Sequence, residues 1–303
     1  MAALICGSMA FDTIMDFEGR FAEQILPDQL HILNVSFLVP ALRRDFGGCA
    51  GNIAYSLKML GGDPLPMAMV GSDGSDYLAR FKALAISTEF VGQVHDTYTA
   101  QAMIMTDRDN NQITAFHPGA MMQAHRNRIA ARSDIRLGII SPDGRDAMLE
   151  HADQFKAAGI PFVFDPGQGL PMFDGAELAR FVSLAQWVTV NDYEGKMLSE
   201  RTGWSSAELS RKVPGGLIVT LGALGSEVWI NGEKTVVPVV DAAAVVDPTG
   251  CGDAYRGGVL FGLERGWSLQ RCAALGGQLG ALKIAQRGPQ NYTVDRAALP
   301  LEA

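Results

Sequence analysis

Short apolar runs alternate with helix-like patterns through most of this chain, and that rhythm limits its fold more than any other feature. Runs with the length and content of buried strands fall at Leu4–Cys6, Leu65–Val70, Leu137–Ile140, Phe162–Phe164, Trp187–Val190 and Leu217–Thr220. Between them, helical spacing marks Asn52–Leu60, Tyr77–Leu84, Arg145–Ala158, Glu177–Leu184, Tyr193–Thr202 and Ala254–Arg265. Strands that alternate with helices in this way form a mainly parallel sheet with helices on both faces, a three-layer α/β/α arrangement. Ligands on such open sheets bind beyond the carboxyl ends of the strands, where this chain concentrates its glycines and aspartates.

Two stretches break the rhythm. Residues 11–46 contain Phe11–Phe17 and His31–Val39, and residues 97–117 contain Tyr98–Met105 and Gln112–Phe116 around the polar turn Asp107–Asn111. The second stretch reads as a β-hairpin. Together, segments 12–46 and 97–117 predict either a small β-sheet lid or an extension of the large sheet's edge. No repeat or low-complexity linker divides the chain, so residues 1–303 read as a single domain.

Composition narrows the function. The net charge of −8 argues against nucleic-acid or acidic-membrane partners, and no run of 18 apolar residues suggests a membrane span. Arg126, Arg128, Arg132 and Arg136 mostly recur at helical spacing and read as a solvated helix face. The start, Met1–Gly7, has no basic region and reads as a buried first strand rather than a signal peptide. Cys6, Cys49, Cys251 and Cys272 are scattered without a metal or disulfide pattern, which suggests reduced thiols in a cytoplasmic protein. The five histidines show no ligand spacing either, so a metal would be oxygen-ligated magnesium arriving with a nucleotide.

The densest chemistry lies in Asp247–Gly258. A β-branched run, Ala242–Val246, precedes it and a helical pattern follows, which predicts strand, glycine turn and helix. Glycines at such a junction let amides converge at a helix N-terminus, where an anion is favoured. Asp253 sits beside that cradle, either as an ordinary N-terminal helix charge or as the base that deprotonates a hydroxyl attacking phosphorus. Gly47-Gly48 and Asn52 open an earlier helix, either as ligand backbone or as a tight turn with an N-cap. Asp12, just past the first strand, suits a vicinal diol or a turn. Asn191 and Glu194 form a capping-box pattern that also suits magnesium-bound water. Thr220–Ser226 either admits a nucleotide to its glycines or turns a hairpin. The sequence holds no G-x-x-x-x-G-K-[ST] loop, no G-x-S-x-G elbow and no G-x-G-x-x-G after the first strand.

Taken together, these residues resemble the ribokinase superfamily, also called the PfkB carbohydrate kinases. Gly47, Gly48, Asn52, Gly61 and Gly71 resemble its first signature, and Asp247–Gly258 its second, with Cys251 where a small residue such as Ala is usual. Asn191–Glu194 and Thr220–Gly225 are similar to its N-x-x-E and nucleotide motifs. Within the superfamily, Gly7–Asp12, Asp165–Gly169 and Asp247–Gly258 look most like bacterial nucleoside kinases often labelled adenosine kinase.

The resemblance implies ATP-dependent phosphorylation of a nucleoside 5′-hydroxyl. Asp253 would be the general base, ionised at an ordinary pKa of about 4. The amides of Gly250, Cys251 and Gly252 would stabilise the transferring phosphoryl group. Ser8, Asp12, Gly48 and Asn52 would hold the ribose, with Gln101, Met103 and Phe116 of the lid toward the base. Asn191 and Glu194 would order Mg2+ through water, and Thr220, Gly222 and Gly225 would line the ATP site. Some relatives bind a monovalent cation here, which would put K+ near Asp247 and Thr249. The protein would be a monomer or a lid-mediated homodimer. Two alternatives stand beside this reading: a sugar kinase acting on ribose or a phosphosugar, and a nucleotide-binding regulator without turnover. A phosphosugar needs cations; the Gly47–Asn52 loop has none, although Arg43 and Arg44 precede it.

Overall fold

A computed structural model of the chain describes residues 2–25, 32, 34–109 and 111–301. The first half runs β1 (Ala2–Cys6), β2 (Ala10–Asp16), α1 (Phe21–Gln24), β3 (Ala41–Gly47), α2 (Cys49–Met59), β4 (Asp63–Val70) and α3 (Ser75–Ala83). β5 (Phe90–Gln93), β6 (Ala100–Thr106), β7 (Gln112–His117), β8 (Ile135–Ile140), α4 (Arg145–Ala158) and β9 (Phe162–Phe164) follow. Then come α5 (Gly175–Leu184), β10 (Trp187–Asn191), α6 (Asp192–Thr202), α7 (Ser206–Lys212) and β11 (Leu217–Thr220). The chain closes with β12 (Ser226–Ile230), β13 (Glu233–Val237), α8 (Cys251–Leu263) and α9 (Leu269–Ile284).

The large sheet has the order β13-β12-β11-β10-β9-β8-β1-β4-β5. From β11 to β5 neighbouring strands are parallel, and the two edge strands β12 and β13 run antiparallel. Every residue of β1 is buried, as a central strand covered on both faces requires. Its alternating side chains feed two cores: Leu4 and Cys6 join Phe155, Phe181 and Leu198 on the α4–α6 side. Ala3 and Ile5 join Ile53, Leu57, Leu260 and Leu279 on the side of α2, α8 and α9. Each of the Leu, Ile and Phe side chains so withdrawn from water contributes about 1.5–3 kcal/mol.

A separate small sheet, ordered β3-β2-β6-β7, stands beyond the carboxyl end of β1. The sheet is mixed, because β2 pairs parallel with β6 while β2–β3 and β6–β7 are antiparallel. It is thus its own sheet rather than an extension of the large one. The Asp107 carboxylate accepts the amides of Asp109 and Asn111 and so shapes the turn expected between β6 and β7.

Two local expectations fail. Ala242–Val246 is not a strand: the amides of Val246 and Asp247 bond to the Ile284 carbonyl at the end of α9, which draws this segment away from the sheet edge. Arg126–Arg136 is not a helix face, because a 3₁₀ turn ends at Arg126 and Arg136 already lies in β8. Arg128 and Arg132 instead pair with Glu150, Glu89 and Asp134. Of the apolar segment His31–Val39, His31 and Leu33 lie outside the described residues, and residues 34–39 are irregular; Ala41–Gly47 supplies the strand.

Candidate active site

The carboxyl ends of β8, β9, β10 and β11 open on one cavity of about 380 Å3, lined from this side by Pro142, Asp165, Asn191, Glu194, Thr220 and Gly222. Facing them are Cys49 at the start of α2 and Gly250, Gly252, Asp253 and Arg256 of the turn and first turns of α8. The turn exists because Gly250 adopts φ +77°, a left-handed conformation that also brings its Cα close to Pro289; a Cβ there would lie 2.5 Å from the proline ring. The Cys251 amide folds back onto the Pro248 carbonyl at 3.2 Å, so Gly252 and Asp253 supply the forward-facing amides of the helix end.

Asp253 and Asn52 are brought together from α8 and α2: Asn52 Nδ2 donates to Asp253 Oδ2 at 2.8 Å. Asn52 is held in turn, since Gln290 Nε2 donates to its Oδ1 at 3.0 Å. That same Nε2 lies 2.6 Å from the Tyr77 hydroxyl, which donates to the Gly47 carbonyl. This chain fixes which end of the Asn52 amide faces the carboxylate. Asp253 does not keep an ordinary acidity. Burial pushes it up to about 6, with the Asp165 charge adding to the rise and the Asn52 bond opposing it.

Arg256 forms a buried two-point ion pair with Asp165, Nε to Oδ2 at 3.0 Å and Nη2 to Oδ1 at 2.9 Å. Burial alone would lower its pKa, but the Asp165 carboxylate more than reverses this and keeps the guanidinium charged. It presents a fixed cation in the cavity wall, 3.9 Å from Glu194 Oε2. Neither Arg256 nor Gln290 is among the residues that the sequence motifs single out. Arg256 has a signal, lying three residues past Asp253 and so on the same helix face; Gln290 has none.

Asn191 and Glu194 form a complete capping box, with Glu194 N to Asn191 Oδ1 at 2.7 Å and Asn191 N to Glu194 Oε2 at 2.8 Å. Both still line the cavity. Burial, then the Asp165 charge, raises the Glu194 pKa. Among the described residues no cluster of three His, Cys, Asp or Glu is placed to hold a metal. Thr220 and Gly222 border the cavity and a second, mostly apolar hollow of about 510 Å3. Gly225 lies only in the latter, with Val239, Val245, Tyr255, Ala281 and Ile284. The segment Thr220–Ser226 is the β11–β12 hairpin turn, one of the two readings its sequence allows.

The remaining candidates scatter. Asp12 packs its carboxylate against Gly47, whose added Cβ would meet it at 2.4 Å. Burial pushes Asp12 up to about 6, helped by the charges of Asp45, Asp253 and Asp247. Ser8 is buried and its hydroxyl accepts the Cys49 amide at 3.1 Å, so it caps α2 and does not line the cavity. Gly48, at φ +84°, passes within contact of Ser8 and Ala10.

Strand alternation separates the three lid residues. Phe116 pairs with Ala102, which pairs with Asp12, and so shares the Asp12 face. Gln101 and Met103 lie on the opposite face, in a hollow with Thr13, Arg44, Asp73, Tyr98 and His117. Asp247 and Thr249 stay beside the α8 turn. The Asp247 carboxylate accepts the amides of Thr249 and Gly288, each at 2.9 Å. Burial would raise its pKa, and these bonds hold it below the usual range.

The model of the pfkB family carbohydrate kinases matches residues 12–296. A nucleoside kinase of Methanocaldococcus jannaschii is 30% identical over 294 residues, covering 96% of this chain and 93% of that protein. The nucleoside kinase of Burkholderia thailandensis, solved with inosine, is 53% identical with a TM-score of 0.87, covering 97% of this chain and 94% of that one. The same kinase solved with ADP-inosine is 54% identical, with a TM-score of 0.85 and coverage of 97% and 92%.

Proposed function

This chain belongs to the pfkB family of carbohydrate kinases and is an ATP-dependent kinase, and we propose that its acceptor is the 5′-hydroxyl of a nucleoside. The observation that carries the reading is the shared cavity, in which Asp253, the Gly250–Gly252 turn and the nucleotide-motif residues Asn191, Glu194, Thr220 and Gly222 meet. Asp253 takes the proton of the 5′-hydroxyl as that oxygen attacks the γ-phosphorus. The helix-end amides near Gly252 and the Arg256 cation offset charge on the transferring group. Asp12 and Asn52 hold the ribose hydroxyls.

Magnesium suits this site as an ion carried by ATP phosphates. Glu194, engaged by Asn191, would reach it through water, and the bound ion would neutralise phosphate charge. The apolar hollow beyond Gly225 suits the adenine of ATP. The small sheet serves as a lid whose Asp12 face, with Phe116, covers the acceptor and keeps out water that would hydrolyse ATP.

The test is ADP release from MgATP with adenosine, inosine, guanosine, cytidine, ribose and fructose 6-phosphate offered separately. Turnover on nucleosides, with their ranking, defines the acceptor. Turnover confined to a sugar would overturn the nucleoside assignment and leave the kinase standing.

A further inference from the structure

The turn that carries the anion-binding amides is tied down by a buried ammonium. Lys283, next to last in α9, is fully buried. Its Nζ donates to the main-chain carbonyls of Asp247 at 2.7 Å and Gln286 at 3.1 Å. Among the described residues it forms no ion pair with a carboxylate. The nearby Asp247 carboxylate is engaged elsewhere, by the amides of Thr249 and Gly288 and by Arg43 Nη2 at 3.7 Å.

A buried ammonium whose hydrogen bonds all go to neutral carbonyls is costly to the fold even with the Asp247 charge nearby, and an apolar side chain of similar size would pack there more favourably. Such a charge points to a local task. The two carbonyls belong to the two segments that meet under the active site. Asp247 begins the turn that leads to Gly250. Gln286 begins the loop that supplies the Gly288 amide to Asp247, the Pro289 ring beneath Gly250, and Gln290, which orients Asn52.

This is also where the family resemblance leads one to expect a potassium ion, beside Asp247 and Thr249. Potassium in proteins is held by main-chain carbonyl oxygens, the ligands Lys283 already engages. A lysine ammonium is a compact monovalent charge with three donors on a flexible stem, so it can satisfy the same oxygens. A free cation coordinating the Asp247 carbonyl would have to displace Nζ.

We propose that Lys283 is a positioning residue that replaces a bound potassium: its tethered ammonium fixes the Asp247–Gly250 turn and makes phosphoryl transfer independent of monovalent cations. The proposal rests on the kinase reading for its rate effect, but not for the cation exchange itself.

The experiment compares wild type with Lys283→Met in tetramethylammonium buffer, using the Tris salt of ATP, before and after adding K+ or NH4+. Turnover and melting temperature are both read. Wild type is expected to change by less than about twofold in either medium. Lys283→Met is expected to lose about 10–100-fold in kcat, with the KM for ATP little changed, as a displaced turn would cause. K+ or NH4+ should restore most of that loss and raise the melting temperature of the variant only. Lys283→Gln, which keeps a donor without the charge, undergoes the same measurements and stands in if the Met variant does not fold.

Strong activation of wild type by K+ would overturn the proposal. So would a folded variant that is fully active in tetramethylammonium, or one that is impaired yet indifferent to both cations. Absence of turnover on every nucleoside would count against the nucleoside reading alone, because the melting temperatures still decide the cation exchange.

Discussion

Replacing Asp253 with asparagine should stabilise the fold while it stops turnover. The native site raises this carboxyl from 3.8 to about 6, chiefly by burial. Each tenfold change in acidity is worth about 1.36 kcal/mol, so the ionised carboxylate burdens the native state by at most ~3 kcal/mol. Because Asp253 borders the cavity, water screens part of this, and roughly 1–3 kcal/mol is the working range. Asparagine keeps an oxygen to accept from Asn52 and removes the charge. It also relieves Asp12, whose own pKa is raised partly by Asp253.

The sign follows from the order of the two pKa values. With the folded value above the unfolded one, the native state is penalised fully above about pH 6, and the penalty fades as pH falls toward about 4. Scanning calorimetry at pH 8 should therefore show Asp253→Asn melting roughly 2–6 °C above wild type, with the gap closing near pH 4. In parallel, nucleoside phosphorylation should fall by about 10²–10⁴-fold while nucleotide binding persists. An equal or lower melting temperature at pH 8, or a gain that does not depend on pH, would refute the argument from burial. Near-normal turnover would remove Asp253 as the base.

Other consequences follow from the same geometry. The kcat/KM of the wild type should decline as pH drops below about 6, where Asp253 and Asp12 take up protons; a profile flat to about pH 5 would contradict their raised pKa values. Gln290→Leu should leave the Asn52 amide without its partner and lower kcat/KM for the nucleoside about tenfold, with circular dichroism unchanged. Equal kcat/KM would show that Asn52 needs no orienting residue. Gly258→Ala should destabilise by about 1–3 kcal/mol, because its Cβ would meet the Gly276 backbone at 2.8 Å where α8 crosses α9. A rise in melting temperature would show that the two helices can separate freely.

Much of this was legible because local rules govern it. The β11 and α4 boundaries agree with apolar period and length, since each element's backbone bonds and buried face are set within a few residues. The capping box at Asn191 and Glu194 and the turn before α8 follow from short-range chemistry that only these residue types supply. Where neighbours far along the chain compete for the backbone, the local reading fails: Ala242–Val246 has strand composition, yet its end is bonded to Ile284 rather than to a strand.

The sequence by itself therefore determined the alternation of strand and helix, the glycine turn that opens α8, and the residue types able to handle phosphate. Only the tertiary structure decided which of them meet. Asn52 lies 201 residues from Asp253, Asp165 lies 91 from Arg256, and Gln290 lies 238 from Asn52. It also decided that Gln101 and Met103 turn away from Asp12, that burial raises Asp253, and that Lys283 lies beneath the α8 turn. The physical reason is that period and propensity act over a few residues. Strand order, face and burial arise from the joint packing of the whole chain, and these set the distances and the dielectric on which the chemistry depends.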